Sequence, residues 1–161
     1  MTSGKVLAVC LGTGGIPKFV VESAVVEELG LVGDGHRFHR HGGANRAVCL
    51  FAIEDYATLR RDGVPCDAPG TFGENVLTEG LDYSALRPGD ELAIGDEVVI
   101  AIHDVREPCG TLKKVDRRFP DLMLGRSGFV CRVVRGGTLR AGMAIARASR
   151  TESAPGHATT E

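Results

Sequence analysis

Glu91-Leu92-Ala93-Ile94-Gly95-Asp96-Glu97-Val98-Val99-Ile100-Ala101-Ile102-His103 reads as a β-hairpin. Two apolar runs flank a Gly-Asp pair, the local chemistry that lets antiparallel strands turn back on each other. Just before it, Arg87-Pro88-Gly89-Asp90 predicts a reverse turn, with proline where its fixed φ helps. Glycine supplies 22 of the 161 residues, about twice average usage. So many glycines call for tight turns and close backbone approaches. They predict a mainly β chain, a single barrel with a few short helices, rather than a helical bundle.

The hairpin's second strand runs into Arg106-Glu107-Pro108-Cys109-Gly110-Thr111-Leu112-Lys113. Pro108 fixes its own backbone and biases Glu107 toward an extended shape, so the chain leaves the strand stiffly. Cys109 has Arg106 before it and Lys113 and Lys114 after it. Positive charge stabilises a thiolate and lowers the pKa from the free value of about 8.5, which suits a metal ligand or nucleophile at neutral pH. A buried structural cysteine is the competing reading of this octapeptide.

Outward from these segments, Lys5 to Leu11 is a first strand, ending at Gly12-Thr13-Gly14-Gly15 and Ile16-Pro17. That glycine loop lacks both the Gly-Lys-Ser/Thr sequence and the G-x-G-x-x-G spacing of a phosphate cradle, and reads as a turn. Phe19 to Leu29 is β-branched and favours a strand. Ala47 to Phe51 reads as a strand and Ile53 to Arg61 as a helix, its apolar side built from Ile53, Tyr56, Ala57 and Leu59 and closed by Asp62-Gly63. Val64 to Gly70 is a loop, and Leu81 to Leu86 a turn. Thr111 to Leu124 is predicted helical with an interruption at Pro120. Gly128 to Val134 is a strand, Gly136-Gly137 a turn, and Thr138 to Ala146 the last strand region. Residues 1–148 are expected to form one domain, and residues 149–161 a disordered tail without apolar residues to bury.

A hydrophobic fraction of 43% and a net charge of −2 suit a soluble globular protein with no overall electrostatic footprint for nucleic acid. No apolar run is long enough to span a bilayer. The five cysteines, Cys10, Cys49, Cys66, Cys109 and Cys131, are odd in number and scattered, which is no disulfide framework. A cytoplasmic setting follows as the expectation.

Residues 30–46 hold His36, His39 and His41 together with Asp34, Arg37, Arg40 and Arg46. Imidazoles with a carboxylate suit a metal, but the D-x-H-x-x-H-x-H spacing matches no metal motif, and the arginines oppose a cation. An oxyanion pocket built from His41, Arg46, Arg106 and the Gly42-Gly43 backbone is the stronger reading, against a solvated basic loop. In Phe72-Gly73-Glu74-Asn75 the Asn75 amide offers a donor and an acceptor, useful against a heterocycle edge or as a turn cap. Arg126-Ser127-Gly128 and Arg132 either add charge near a ligand or coat the last strands.

Taken in order, Gly30-Leu31-Val32-Gly33-Asp34 with His36, His41-Gly42-Gly43 with Arg46-Ala47-Val48, Phe72-Gly73-Glu74-Asn75, Pro88-Gly89-Asp90 with Gly95, and Arg106-Glu107-Pro108-Cys109 resemble the MOSC domain. That module is named for the C-terminal part of molybdenum cofactor sulfurases. The resemblance covers roughly residues 5 to 146 and is closest to short, free-standing bacterial members. It implies a β-barrel-rich fold and a cysteine used for molybdenum or sulfur chemistry. In amidoxime-reducing relatives that cysteine is a molybdenum ligand, and by motif it falls on Cys109. Groups that hold the pterin and its phosphate in the molybdenum cofactor (molybdopterin) fall on Arg46, Asn75 and Arg106, with His41 beside them. The family's associations with catalytic activity, molybdenum ion binding and pyridoxal phosphate binding come with the resemblance. Two features depart from the pattern: residues 1–161 hold no N-terminal barrel ahead of the domain, so tight cofactor binding is not expected from these residues alone, and Gly142-Met143 stands where a Gly-Asp turn is usual.

Three functions stay open at this level. One is a cofactor-binding oxidoreductase or sulfur-handling protein that uses Cys109, acting on a small molecule with an electron-donor or sulfur-donor protein as partner. A second is a carrier of sulfur or cofactor without turnover. The third is a cysteine hydrolase or transferase with a histidine of residues 36–41 as base.

Overall fold

The computed structural model describes residues 2–35, 43–108 and 110–148. Its strands are β1 (Ser3–Leu11), β2 (Phe19–Val21), β3 (Ser23–Glu27), β4 (Gly30–Leu31), β5 (Val48–Ala52), β6 (Val76–Glu79), β7 (Glu91–Ile94), β8 (Val98–Val105), β9 (Phe129–Arg135), β10 (Gly137–Arg140) and β11 (Ala144–Arg147). Seven of them close a barrel in the order β11-β7-β8-β9-β5-β6-β1, with β1 pairing back onto β11. The closing register sets Ser3 against Ala146 and Lys5 against Ala144, joining the two ends of the domain. Strand β2 adds to the outside of this sheet, and β10, β3 and β4 form a second, smaller one.

The predicted hairpin is present, with Glu91 opposite Ala101 and Ile94 opposite Val98. One barrel pair, β5 with β6, is parallel. Parallel neighbours need a crossover of a dozen or more residues, and here it is α1 (Ile53–Arg61) with the loop that follows. Glu54 and Asp55 in its first turn and Arg60 and Arg61 in its last complement the helix dipole. Tyr56 and Leu59 are buried, whereas Ala57, expected on the apolar side, faces solvent.

The barrel interior is filled by Val6, Val9, Val48, Leu50, Leu92, Ile100, Ile102 and their neighbours. A second core lies between the barrel wall and α1, built on Ala8, Cys10, Phe51, Tyr56, Phe72, Leu112 and Phe119. The irregularity between Val6 and Ala8 lets β1 serve both. Val6 and Val9 point inward although three positions apart, because one extra residue shifts the two-residue alternation. In the outer core, Phe72 stacks on Phe51 at 5.1 Å and meets Tyr56 and Phe119 edge-on at 4.9 and 5.7 Å. Such ring pairs contribute beyond their buried area.

Several expectations need correction. Residues 111–124 are not α-helical; two 3-10 turns, Gly110–Lys114 and Asp121–Met123, take their place. Asp116 explains part of this, since its carboxylate accepts from the Arg118 backbone and guanidinium and supports a turn instead of a continuing helix. Phe19 to Leu29 divides into β2 and β3, and Thr138 to Ala146 into β10 and β11. The start of the glycine-bounded loop, Gly30–Leu31, pairs with β3 as a strand. Cys66 sits in a loop but is fully buried, its thiol 3.7 Å from the Tyr56 carbonyl. The expected tail, residues 149–161, lies outside the described residues.

Candidate functional site

At one end of the barrel, the loops after β1, β4, β8 and α1 meet around two buried carboxylates. Asp34 is the first; its side chain is only 2% exposed. Its Oδ1 accepts from the Gly12 backbone at 3.0 Å. Its Oδ2 accepts from Lys18 Nζ at 2.6 Å and from Asn75 Nδ2 at 2.8 Å. A buried ion pair holds only when further hydrogen bonds offset its desolvation, and Gly12 and Asn75 supply them. Asp34, read from the sequence as a candidate metal ligand, is thus an anchor that pulls the glycine loop onto the 72–75 segment. The glycine loop is held from within: Gly12 donates to Asp34 and accepts from the Gly35 backbone.

Asn75 is 1% exposed. Its Oδ1 accepts from the Cys49 backbone at 2.9 Å, and its Nδ2 also reaches the Cys10 carbonyl at 3.4 Å. Both amide hydrogens are engaged inside the protein, so the side chain ties β1, β5 and Asp34 together and has no free donor for a heterocycle. Glu74, the second carboxylate, is fully buried; its Oε2 accepts from the Tyr56 hydroxyl and from the Gly70 backbone at 3.0 Å. Burial, and then the Glu74 charge, push the Tyr56 phenol well up, so it stays protonated as a donor. The sequence reading singled out neither Tyr56 nor Glu74 for this pairing. The F-G-E-N segment contained the signal, since a glutamate in an apolar run requires a partner.

Two arginines, Arg106 and Arg46, act on one cysteine, Cys49. Arg106 is fixed at its backbone, where the N–H donates to Gly128 and the carbonyl accepts from the Ser127 hydroxyl at 2.7 Å. Its Nη2 donates to the Phe72 carbonyl, leaving Nη1 buried with no partner among the described residues. Arg46 closes the 3-10 turn Ala44–Arg46, and its Nε is likewise buried without a partner. Both charges reach Cys49. Burial pushes its thiol up, while the Arg106 and Arg46 charges act in the opposite direction. Arg46 also lines an open cleft of about 410 Å³ with His103, Asp104, Val105 and Glu107. His103 falls where the β8–β9 register slips between Ile102 and Asp104, an irregularity that re-aims a strand's side chains.

Buried guanidinium N–H groups without acceptors among the described residues suit an anion or an ordered water. The donors present therefore fit the phosphate and oxo groups of a molybdenum cofactor. His36, His39, His41 and Cys109 lie outside the described residues. Arg126 does not face the site: it donates to the Leu122 carbonyl, Thr58 and Asp62, bracing the turn against α1. The four described cysteines all have raised thiols. Burial first, with Glu74 adding to it, takes Cys10 to about 12, and burial dominates at Cys49, Cys66 and Cys131.

A closed seven-strand barrel with a buried Asp34–Asn75 anchor, and with Arg46 Nε and Arg106 Nη1 buried without a partner among the described residues, defines the class. The MOSC domain family model matches residues 37–146, and the chain belongs to that family, one associated with the molybdenum cofactor. A Gibberella moniliformis protein named "Reductase" is 29% identical over 131 residues, 75% of this chain and 23% of that protein. Uncharacterized protein YflK of Bacillus subtilis is 30% identical over 144 residues, 86% of this chain and 65% of the relative. Protein YiiM of Escherichia coli is 37% identical over 90 residues, 53% of this chain and 39% of the relative. The crystal structure of E. coli YiiM superposes with a TM-score of 0.74 at 28% identity, covering 93% of this chain and 71% of that one. The chain thus spans less than two thirds of the length of the curated relatives it matches.

Proposed function

We propose that this MOSC protein binds the molybdenum cofactor, with Cys109 as the metal ligand, and reduces N-hydroxylated small molecules with electrons from a partner protein in the cytoplasm. The observation that carries this reading is the pair of buried donors, Arg46 Nε and Arg106 Nη1, that no described residue satisfies. Family membership supports the cofactor. The match to part of a longer protein named "Reductase" supports a redox role.

When bound, the cofactor would supply two-electron chemistry at molybdenum. The chain's own residues bind and orient. Arg46 and Arg106 would donate to anionic oxygens from a partly water-excluded wall, where charge-assisted bonds are strong. Asn75 and Asp34 hold that wall in place from behind, and Tyr56 with Glu74 fixes the loop whose Phe72 carbonyl orients Arg106. By motif, Cys109 contributes a thiolate, a soft ligand suited to the metal.

The test is elemental analysis and pterin fluorescence on protein purified from a host that makes the cofactor. Near-stoichiometric molybdenum and pterin are expected. Cys109→Ser keeps nearly the same volume, but its hydroxyl stays protonated near neutral pH and is a poor soft-metal ligand. It should lose molybdenum while retaining some pterin through the arginines. Undiminished molybdenum in this variant would refute Cys109 as ligand. Wild-type protein free of metal and pterin but holding labile sulfur would refute the reductase reading in favour of a sulfur carrier.

A further inference from the structure

A second concavity, of about 530 Å³, shares no lining residue with the cleft at Arg46. Its walls are residues 16–20, the loop after α1 at Pro65, Ala68 and Pro69, and Lys114 with Val115. The size lies within the roughly 300–1,000 Å³ typical of small-molecule sites. Phe19 and Val20, both in its lining, are 68% and 57% exposed. Large apolar side chains gathered on one concave surface are the mark of a binding site rather than of scattered surface residues.

Charge narrows the ligand. No carboxylate lines the concavity, and two lysines do. Lys18 is already neutralised by Asp34 at 2.6 Å, with its side chain 7% exposed. Lys114 is exposed and takes part in none of the ion pairs among the described residues. An apolar pocket with one uncommitted ammonium complements an apolar molecule that carries one negative charge. A nucleotide or other polyanion would need several donors, and the lining does not supply them.

We propose that this pocket binds a small apolar carboxylic acid, its hydrocarbon against Phe19, Val20 and Val115 and its carboxylate paired with Lys114. The site does not depend on the cofactor reading, but it borders the same framework. A Cβ built on Gly73 would lie 2.9 Å from Ile16 of this pocket and 3.6 Å from Arg106 Nη2, so Ile16 and Arg106 flank one turn.

The experiment is a titration of the full chain with octanoate, followed by amide chemical shifts, with octylammonium as the comparator of opposite charge. Octanoate should shift residues 16–20, 65–71 and 114–115 at lower concentration than octylammonium. Lys114→Glu should weaken octanoate by about fivefold, the effect of replacing a surface attraction of about 0.5 kcal/mol with a similar repulsion. Ala68→Trp, on an exposed loop position, should fill the pocket and remove the response. Phe19→Ser should weaken it without occluding the space. The proposal is overturned if octanoate and octylammonium act alike, or if the shifts persist in Ala68→Trp. It also fails if octanoate is inert and sedimentation shows a dimer that Phe19→Ser dissociates, since the face would then be covered by a second copy of the chain.

Discussion

Replacing Asn75 separates a structural role from direct ligand contact. Its amide accepts from the Cys49 N–H at 2.9 Å and donates to the Asp34 carboxylate at 2.8 Å, in a position only 1% exposed. Alanine would leave the Cys49 N–H without its acceptor and remove one of the donors that hold the buried Asp34 charge. An unsatisfied buried group costs about 1–3 kcal/mol, and a lost hydrogen bond to a charged group about 1.5–3 kcal/mol. Together they predict that Asn75→Ala loses about 2.5–6 kcal/mol, a large share of the about 5–15 kcal/mol that holds a typical domain. Urea unfolding followed by circular dichroism measures this as a lower midpoint at unchanged slope. Asn75→Asp adds a pH test. It keeps the acceptor for Cys49 but sets a second carboxylate against Asp34, which raises the pair's folded-state pKa above the ordinary value of about 3.9. A raised carboxyl pKa contributes stability below the unfolded value and loses it as pH rises through the folded value. The Asn75→Asp penalty should therefore grow between about pH 4 and pH 7. A loss below about 1 kcal/mol for Asn75→Ala would refute the anchoring role, since no buried donor would then have been stranded.

Other predictions follow from the same geometry. Arg46→Ala should leave unliganded stability nearly unchanged, because the buried Nε has no partner among the described residues to lose, and should abolish stabilisation by added phosphate in a thermal melt; a variant that unfolds without ligand would make Arg46 structural. Brief iodoacetamide treatment at pH 7 should label Cys109 ahead of Cys10, Cys49, Cys66 and Cys131, whose thiols are all held above their usual range; mass mapping that finds equal labelling would remove the case for an activated Cys109. Tyr56→Phe should cost about 1.5–3 kcal/mol in urea unfolding, since it takes a charge-assisted donor from buried Glu74; a neutral result would mean that the Gly70 N–H alone suffices at Oε2.

The parts of the fold that chemistry between close neighbours decides were legible in the chain. The β7–β8 hairpin follows from Gly95-Asp96 between two apolar runs, and α1 from its spacing, its end charges and the glycine after it. The family motifs pointed to Arg46, Asn75 and Arg106 as cofactor-binding candidates. What each does there depends on residues far away in sequence. Asp34 finds Gly12, Lys18 and Asn75 at separations of 22, 16 and 41 residues, and only the sheet register brings them together. The same holds for Asn75, whose amide offers a donor and an acceptor in any setting; the arrival of β1 and β5 on either side turns it into an internal tie. Cys66 shows the converse, a loop residue buried by α1 lying over it. Barrel closure, Ser3 against Ala146, spans nearly the whole domain, and no local pattern encodes a contact between its two ends. Composition and turn chemistry determined that the chain would be a glycine-rich barrel; tertiary packing decided which polar groups are spent inside it and which, Arg46 Nε, Arg106 Nη1 and Glu74 Oε1, are buried with no partner among the described residues.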